Sequence, residues 1–286
     1  MGVTKAVLPV AGLGTRFLPI TKLVPKELLP ILDRPCIDYV VAEAVESGIT
    51  ELIFVTSPEK SKVEDYFVAS PALEASLADA GKLALLAEVR RVARHAQKRV
   101  VVHQHRRLGL GHAVLCAESA VGNDDFVVIL PDDIVDAEVP VVLQLLAVHA
   151  ERGGAVVSLK NIPRERTNRY GICAGPMLTD SLMRVDRMVE KPKPEDAPST
   201  LSIVGRYVLP AAIFDLLRST APGAGGEIQL TDALARLPLA YGHVFSGQHF
   251  DTGNPLGLLE AQLHYACKHP DLGSAAKALC ARFGGP

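Results

Sequence analysis

Residues Ala6-Val7-Leu8-Pro9-Val10-Ala11-Gly12-Leu13-Gly14-Thr15-Arg16 decide how this chain is read. Ala6 to Ala11 is a short apolar run, which predicts a buried first strand. It opens into a loop with Gly12, Gly14 and Thr15. Glycine carries no Cβ and tolerates unusual backbone angles, so such a loop leaves several N–H groups free to face one anion. Arg16 adds a fixed charge with planar donors suited to phosphate oxygens, and Lys26 places an ammonium in the same segment. A strand, a glycine turn, an arginine and a lysine describe a site for several phosphates. The dinucleotide fingerprint G-x-G-x-x-G fails, because Phe17 stands at its third glycine, and the Gly-Lys-Ser/Thr of a P-loop is absent. From the loop alone, an ordinary strand-to-helix turn remains an equal reading.

A longer match extends from this loop. Ala11-Gly12-Leu13-Gly14-Thr15-Arg16-Phe17-Leu18-Pro19, Thr21-Lys22 and Pro25-Lys26-Glu27-Leu28-Leu29-Pro30 resemble the signature of the nucleoside-diphosphate-sugar pyrophosphorylases, and within them the uridylyltransferase branch. The resemblance implies an α/β fold: a mixed, mainly parallel central sheet flanked by helices, the Rossmann-like nucleotidyltransferase fold. It implies a nucleotide site at Ala11, Gly12, Leu13, Gly14, Thr15 and Glu27, with Arg16 and Lys26 acting in the reaction.

Composition sets outer limits. The 286 residues are 48% apolar and 22% charged, an ordinary globular balance, and a net charge of −2 gives no bulk basicity for nucleic acid. The run Arg90, Arg91, Arg94, Lys98 and Arg99 falls on an expected helix and reads as a solvated face. Cys36, Cys116, Cys173, Cys267 and Cys280 form no C-x-x-C pair and mostly sit in apolar stretches, so they read as reduced packing thiols of a cytoplasmic protein. No signal peptide or membrane-length apolar run is present.

Apolar spacing predicts a helix over 36–47, a strand over 51–56, a helix from Ser57-Pro58 through Phe67, helical structure over 71–98, and a strand at 100–102. Further strands are expected at 126–130 and 155–159, a helix at 139–152, strand-like runs near 183–190 and 201–208, and two C-terminal amphipathic helices. Strands alternating with helices imply parallel βαβ units, whose ligands bind beyond the carboxyl ends of the strands. We expect one domain over 1–286, softly divided into a nucleotide half (1–153), a sugar half (154–255) and C-terminal helices (256–286).

Further motifs fall at those strand ends. Gln104 precedes Gly109-Leu110-Gly111-His112-Ala113; an amide offers both acceptor and donors, so Gln104 is either a base-reading group or a strand-end glutamine in water. The resemblance assigns Gln104 and Gly109 to the base, while His112 reads as a structural residue at a helix start. Pro131-Asp132-Asp133 ends an apolar strand, where carboxylates can share Mg²⁺ with substrate phosphates or simply make a turn. The resemblance favours the metal, placing Asp132 and Asp251 as its ligands and Asp132 also at the nucleotide. It assigns Gly171, Glu190, Val204 and Gly205 to the sugar and Lys191 to the sugar phosphate. Taken alone, Glu190-Lys191-Pro192 reads equally as a surface ion pair before a turn. Gly226-Glu227-Ile228-Gln229-Leu230-Thr231-Asp232 reads as a glycine loop entering a helix, with Thr231 as its cap. His249 and Pro255 depart from the family, which often has arginine and lysine there.

The resemblance implies that UTP and glucose 1-phosphate are substrates, that Mg²⁺ is the cofactor, and that the chain forms a homo-oligomer, dimer or tetramer, with no nucleic acid or membrane partner. A same-fold enzyme with another nucleotide or sugar, such as a thymidylyltransferase, and a weakly active paralogue that binds UDP-sugar remain as alternatives. A dinucleotide oxidoreductase is disfavoured by Phe17.

Overall fold

In the computed structural model, which describes residues 2–60 and 63–283, the first apolar run forms β1 (Lys5–Pro9). Ala6, Val7 and Leu8 are fully buried. The signature segment then leaves the sheet through short 3-10 turns at Thr15–Phe17, Ile20–Lys22 and Lys26–Leu28. A small ribbon of β2 (Pro30–Ile31) and β3 (Arg34–Pro35) delivers the chain to α1 (Cys36–Glu46), which buries Ile37, Val40, Val41 and Ala44 on one side. β4 (Glu51–Thr56) is buried throughout.

The helix expected after Ser57 does not form. Two 3-10 turns, Pro58–Lys60 and Glu64–Phe67, stand there instead, and positions 61 and 62 of the expected helix lie outside the described residues. Tertiary demands override the local period: Lys60 turns inward to meet Glu27 at 3.0 Å, and Phe67 packs against Phe54 with ring centroids 5.7 Å apart. The helical stretch that follows is α2 (Pro71–Asp79) and α3 (Leu83–His95), interrupted at Gly81, whose φ of +66° suits glycine.

The chain continues through β5 (Arg99–His103), α4 (Leu110–Cys116), α5 (Glu118–Val121), β6 (Phe126–Ile129), β7 (Asp133–Asp136), α6 (Val141–Arg152) and β8 (Ala155–Asn161). Next come β9 (Gly171–Ala174), β10 (Leu182–Arg184), β11 (Arg187–Glu190), β12 (Leu201–Leu209), α7 (Ile213–Arg218) and α8 (Leu230–Leu234). β13 (Ala240–Val244), β14 (Gln248–Asp251), α9 (Pro255–Lys268) and α10 (Gly273–Phe283) complete the described chain.

The main sheet runs β10-β13-β8-β12-β6-β1-β4-β5. β5, β4, β1 and β6 are mutually parallel, and β13 is parallel to β8. β12 runs antiparallel to both β6 and β8, so strands on either side of it share one direction and the sheet is mixed but mainly parallel. Its register shifts between Ile203 and Tyr207, at Gly205 with φ +50°. The bulge bends β12 away from the ladder and aims the backbone at Gly205 toward the open strand ends.

Alternation along the strands sends side chains to two cores. Ala6 and Leu8 join α1, α6 and α9 on one face, while Val7, Ile53 and Val55 join α4, α7 and α8 on the other. Arg206 is fully buried on β12 and makes an ion pair of 2.6 Å to Glu43 of α1. Glu43 also accepts from the N–H of Val142 at 3.1 Å, so one carboxylate ties β12, α1 and α6. All five cysteines are free thiols. Among the described residues, no helix is long and apolar enough to cross a membrane.

Candidate active site

The glycine loop sits where β1 ends. Gly14 adopts φ +63°, and a methyl group there would lie 3.1 Å from both Lys26 Cβ and Thr21 Cγ2. Thr21 Oγ1 donates to Gly14 O at 2.8 Å. The 3-10 turn at Lys26 therefore packs its stem directly beneath the loop and brings the ammonium to the strand ends. Glu27 faces the other way. It is buried and accepts from Lys60 Nζ at 3.0 Å, while Lys60 also donates to Val10 O at 3.3 Å. Burial pushes the Glu27 carboxyl up and the Lys60 ammonium down, and the pair forms the floor of the loop.

Three carboxylates gather opposite. Asp133 and Asp251 are register partners in the β7–β14 pair. Asp132 and Asp251 converge on one turn: a methyl on Gly253 would stand 2.7 Å from Asp132 Oδ2 and 3.0 Å from Asp251 Oδ1. Thr252 pins that turn by donating to Asp132 O from its N–H at 2.7 Å and its hydroxyl at 2.9 Å. Lys26 Nζ makes an ion pair with Asp132. Burial disfavours the Asp132 charge, but the Lys26 ammonium more than offsets it and holds the carboxyl below its ordinary value. Asp251 is pushed up, by burial and then by Asp133 and Asp132. Arg16 Nη1 donates to Gly253 O at 3.3 Å, which sets the guanidinium over the same turn.

The two departures in this loop have structural roles. His249 Nε2 meets Asp133 Oδ1 at 2.7 Å. Pro255 opens α9, where its missing N–H is harmless, and Asn254 Oδ1 caps the helix by accepting from Gly257 N at 3.0 Å.

The opposite wall is built on β9, β11 and α8. Thr231 Oγ1 donates to Glu190 Oε2 at 2.6 Å, and Lys191 Nζ lies 3.2 Å from Glu190 Oε1. Thr231 is thus not the expected cap. It lies inside α8, whose N-cap position is Gln229, and its hydroxyl is spent on Glu190. Lys191 adopts φ +46°, held by its N–H on Tyr170 O at 3.0 Å; a residue with a Cβ rarely adopts that region, and such outliers cluster at functional sites. A methyl on Gly171 would stand 2.7 Å from Thr231 Oγ1, and one on Gly205 would collide with the Asp133 carboxylate.

These walls enclose a cavity of about 700 Å³, within the range of small-ligand sites. Of the residues expected from sequence, it brings together Arg16, Asp132, Gly171, Glu190, Lys191, Gly205 and Asp251. Lys26 joins through Asp132. Ala11, Gly12, Leu13, Gly14, Thr15, Glu27, Gln104, Gly109 and Val204 lie outside its wall. Gly109 is next to the lining residue Leu110, and Val204 is buried beside Gly205. Gln104 is buried and donates to Gly109 O at 3.1 Å. The stretch from Leu108 to Gly111 is strapped to Ile228 by backbone bonds of 2.7 and 2.9 Å, which carries this glycine motif to the edge of the cavity.

Sequence reasoning gave no site role to Asn168, Arg169 and Tyr207, and gave Gln229 only a structural role within its glycine-loop motif, yet all four line the cavity. Arg169 precedes the Tyr170-Gly171 pair and was available by proximity. Tyr207 looked like an interior residue of an apolar strand, and nothing local marks its position on the wall.

The family described as nucleotidyl transferase matches residues 5–268. The chain belongs to the nucleotidyl transferase family. It is 43% identical over 279 residues to the UTP–glucose-1-phosphate uridylyltransferase of Staphylococcus epidermidis, covering 96% of each chain. It is 42% identical over 275 residues to a UTP–glucose-1-phosphate uridylyltransferase of Bacillus subtilis, covering 95% of this chain and 92% of that one. Among solved structures of nucleotidyl transferases, it superposes on the UTP-bound UDP-glucose pyrophosphorylase of Acinetobacter baumannii with a TM-score of 0.89 at 43% identity, covering 98% of this chain and 99% of that one. A UDP-glucose pyrophosphorylase complexed with UDP-glucose matches with a TM-score of 0.84 at 38% identity, covering 93% and 100%.

Proposed function

We propose that this enzyme transfers the uridylyl group of UTP to α-D-glucose 1-phosphate, giving UDP-glucose and pyrophosphate. The observation that carries the reading is the single cavity that joins the phosphate end, Arg16 and Asp132, to the hydroxyl-reading end, Glu190 and Lys191. Relatives over nearly the full length bear the name of this activity.

An oxygen of the sugar phosphate attacks the α-phosphorus of UTP in line; the bond from that phosphorus to the bridging oxygen breaks, and pyrophosphate leaves with the electron pair. The nucleophile is already an anion, so the site needs no general base and works by positioning and charge neutralisation. Glu190 holds the sugar hydroxyls and Lys191 the attacking phosphate. Lys26 neutralises the α-phosphate, and Arg16 steadies the leaving pyrophosphate.

The carboxylates suit Mg²⁺. Asp132 and Asp251 offer oxygen donors only, and burial beside its neighbours leaves Asp251 short of positive charge. Among the described residues, no group of three or more His, Cys, Asp or Glu could hold a metal alone. Mg²⁺ characteristically takes one or two carboxylates and completes its shell with phosphate oxygens and water, and Asp132 and Asp251 would be those carboxylates. Held by Asp132 and Asp251, Mg²⁺ would supply charge stabilisation to the reacting phosphates.

We further read residues 1–286 as one domain, a homo-oligomer in its working state, and a protein of the cytoplasm; the continuous sheet and the unpaired thiols support the first and last of these.

The test is pyrophosphate release with Mg²⁺, crossing UTP, dTTP, GTP and ATP against glucose, galactose and N-acetylglucosamine 1-phosphates. Fast release with UTP and glucose 1-phosphate alone is expected. Fast release only with another pair would move the specificity, and silence throughout would remove the enzyme reading.

A further inference from the structure

Gln104 and His112 form a pair whose hydrogen-bond polarity is determined by its surroundings. Gln104 follows β5, and its own N–H donates to Thr56 O at 2.7 Å, so its backbone is held at the strand ends. Its Nε2 donates to Gly109 O at 3.1 Å. A carbonyl can only accept, so this contact identifies the nitrogen side of the amide without ambiguity. The same Nε2 lies 3.0 Å from His112 Nδ1. A donor facing Nδ1 requires that nitrogen to be bare, which fixes His112 as the neutral tautomer protonated at Nε2. Cys116 Sγ, 3.8 Å from the same Nδ1, can add only a second, weak donor there. Burial and then the Arg106 charge depress the His112 pKa, which keeps the ring neutral.

Both N–H bonds of Gln104 are therefore spent on protein acceptors. Oε1 has no hydrogen-bond partner among the described residues and is not one of their buried unpaired atoms, so it keeps an opening to solvent through which a ligand donor can reach it. An outward acceptor matches a base edge that offers an N–H donor. Uracil presents N3–H there, whereas cytosine presents a bare N3, which would face Oε1 lone pair to lone pair.

We propose that His112 is a positioning residue for base selection: by accepting from Gln104 Nε2, it holds the amide with Oε1 outward, so that the site takes uridine and rejects cytidine nucleotides. This rests on the uridylyl reading above. Without a bare acceptor at the position of Nδ1, only the Gly109 carbonyl still holds the Gln104 amide nitrogen, so turning the amide over to present its NH₂ group, which suits cytosine, breaks one hydrogen bond instead of two.

The experiment compares kcat/KM for UTP and for CTP, with glucose 1-phosphate fixed, in the wild type, H112N, H112Q and H112L. The side-chain oxygen of asparagine reproduces an acceptor where Nδ1 stands, while glutamine reaches the position of Nε2 and leucine offers no acceptor. H112L and H112Q are expected to lose about five- to tenfold of the UTP-over-CTP ratio, the equivalent of one neutral hydrogen bond. H112N keeps the ratio within about threefold, and the KM for glucose 1-phosphate changes little in all three. H112Q keeps a polar side chain should H112L fold poorly. A UTP-over-CTP ratio that survives in H112Q and H112L, or that falls equally in H112N, overturns the proposal while leaving the uridylyl reading intact. A wild type that shows no preference for UTP overturns both.

Discussion

Thr231 Oγ1 donates to Glu190 Oε2 at 2.6 Å, across a gap kept open by the missing side chain of Gly171. The bond leaves Glu190 one fixed orientation toward the cavity. Thr231→Val removes the donor but keeps the shape. A hydrogen bond to a charged group contributes about 1.5–3 kcal/mol, so kcat/KM for glucose 1-phosphate should fall roughly 10- to 100-fold. The loss should appear mainly in the KM for the sugar, with the KM for UTP little changed, and Thr231→Ser should restore most of it. Steady-state kinetics with each substrate varied in turn checks this, and equal losses for both substrates would count against it.

Lys26 and Asp132 form an ion pair at the end of the cavity where β1 and the glycine loop meet. Groups that stabilise developing charge in a closed site contribute about 3–4 kcal/mol to a transition state. Lys26→Ala and Asp132→Ala should each lose roughly a hundredfold or more in turnover, with unchanged circular dichroism. Removal of divalent ions with EDTA should abolish the wild-type rate, and added Mg²⁺ should restore it. Near-normal turnover in both variants would overturn the assignment.

Arg206 and Glu43 illustrate a different cost. Arg206 is fully buried, and burial works against its charge, but Glu43 raises its pKa and keeps it ionised. Arg206→Met leaves Glu43 without its partner and should lower stability by about 3–5 kcal/mol. The double variant Arg206→Met/Glu43→Met should be more stable than Arg206→Met alone, since no uncompensated charge remains. Urea unfolding of all three proteins gives the comparison.

Asp38 couples stability to pH. It is fully buried and accepts from Arg34 Nε at 2.7 Å and Arg91 Nη2 at 2.8 Å. Burial disfavours its charge, but Arg91 and Arg34 more than compensate and hold the carboxyl below its ordinary value. A depressed carboxyl stabilises the fold above its unfolded pKa of about 3.9 and loses that contribution as pH falls through the folded value. Asp38→Asn should therefore cost about 1–3 kcal/mol at pH 7, with the gap to wild type closing as the pH drops below about 4. Urea midpoints across that range, with a gap that stayed constant, would argue against the coupling.

Local pattern is enough for α1 and α6, which carry a helical apolar period and stop just before glycine, and for β1, β4 and β6, which are short continuous apolar runs. The family signature points to Arg16, Lys26, Asp132, Glu190, Lys191 and Asp251 from residue types and order alone. The region after Ser57 was misread as helix because its period is helical, while the competing pull of Glu27 on Lys60, 33 positions away in the chain, is invisible locally.

The sequence by itself determined the α/β class, the glycine loop after the first strand and the identity of the charged groups, since these depend on side-chain chemistry and short-range spacing. Only the tertiary structure decided which of them share a cavity, that Thr231 serves Glu190 rather than its own helix, and that Gln104 turns its amide nitrogen to His112. Those outcomes depend on strands crossing in the sheet and on hydrogen-bond direction between segments far apart in the chain. Distance and polarity of that kind arise only when the chain has packed.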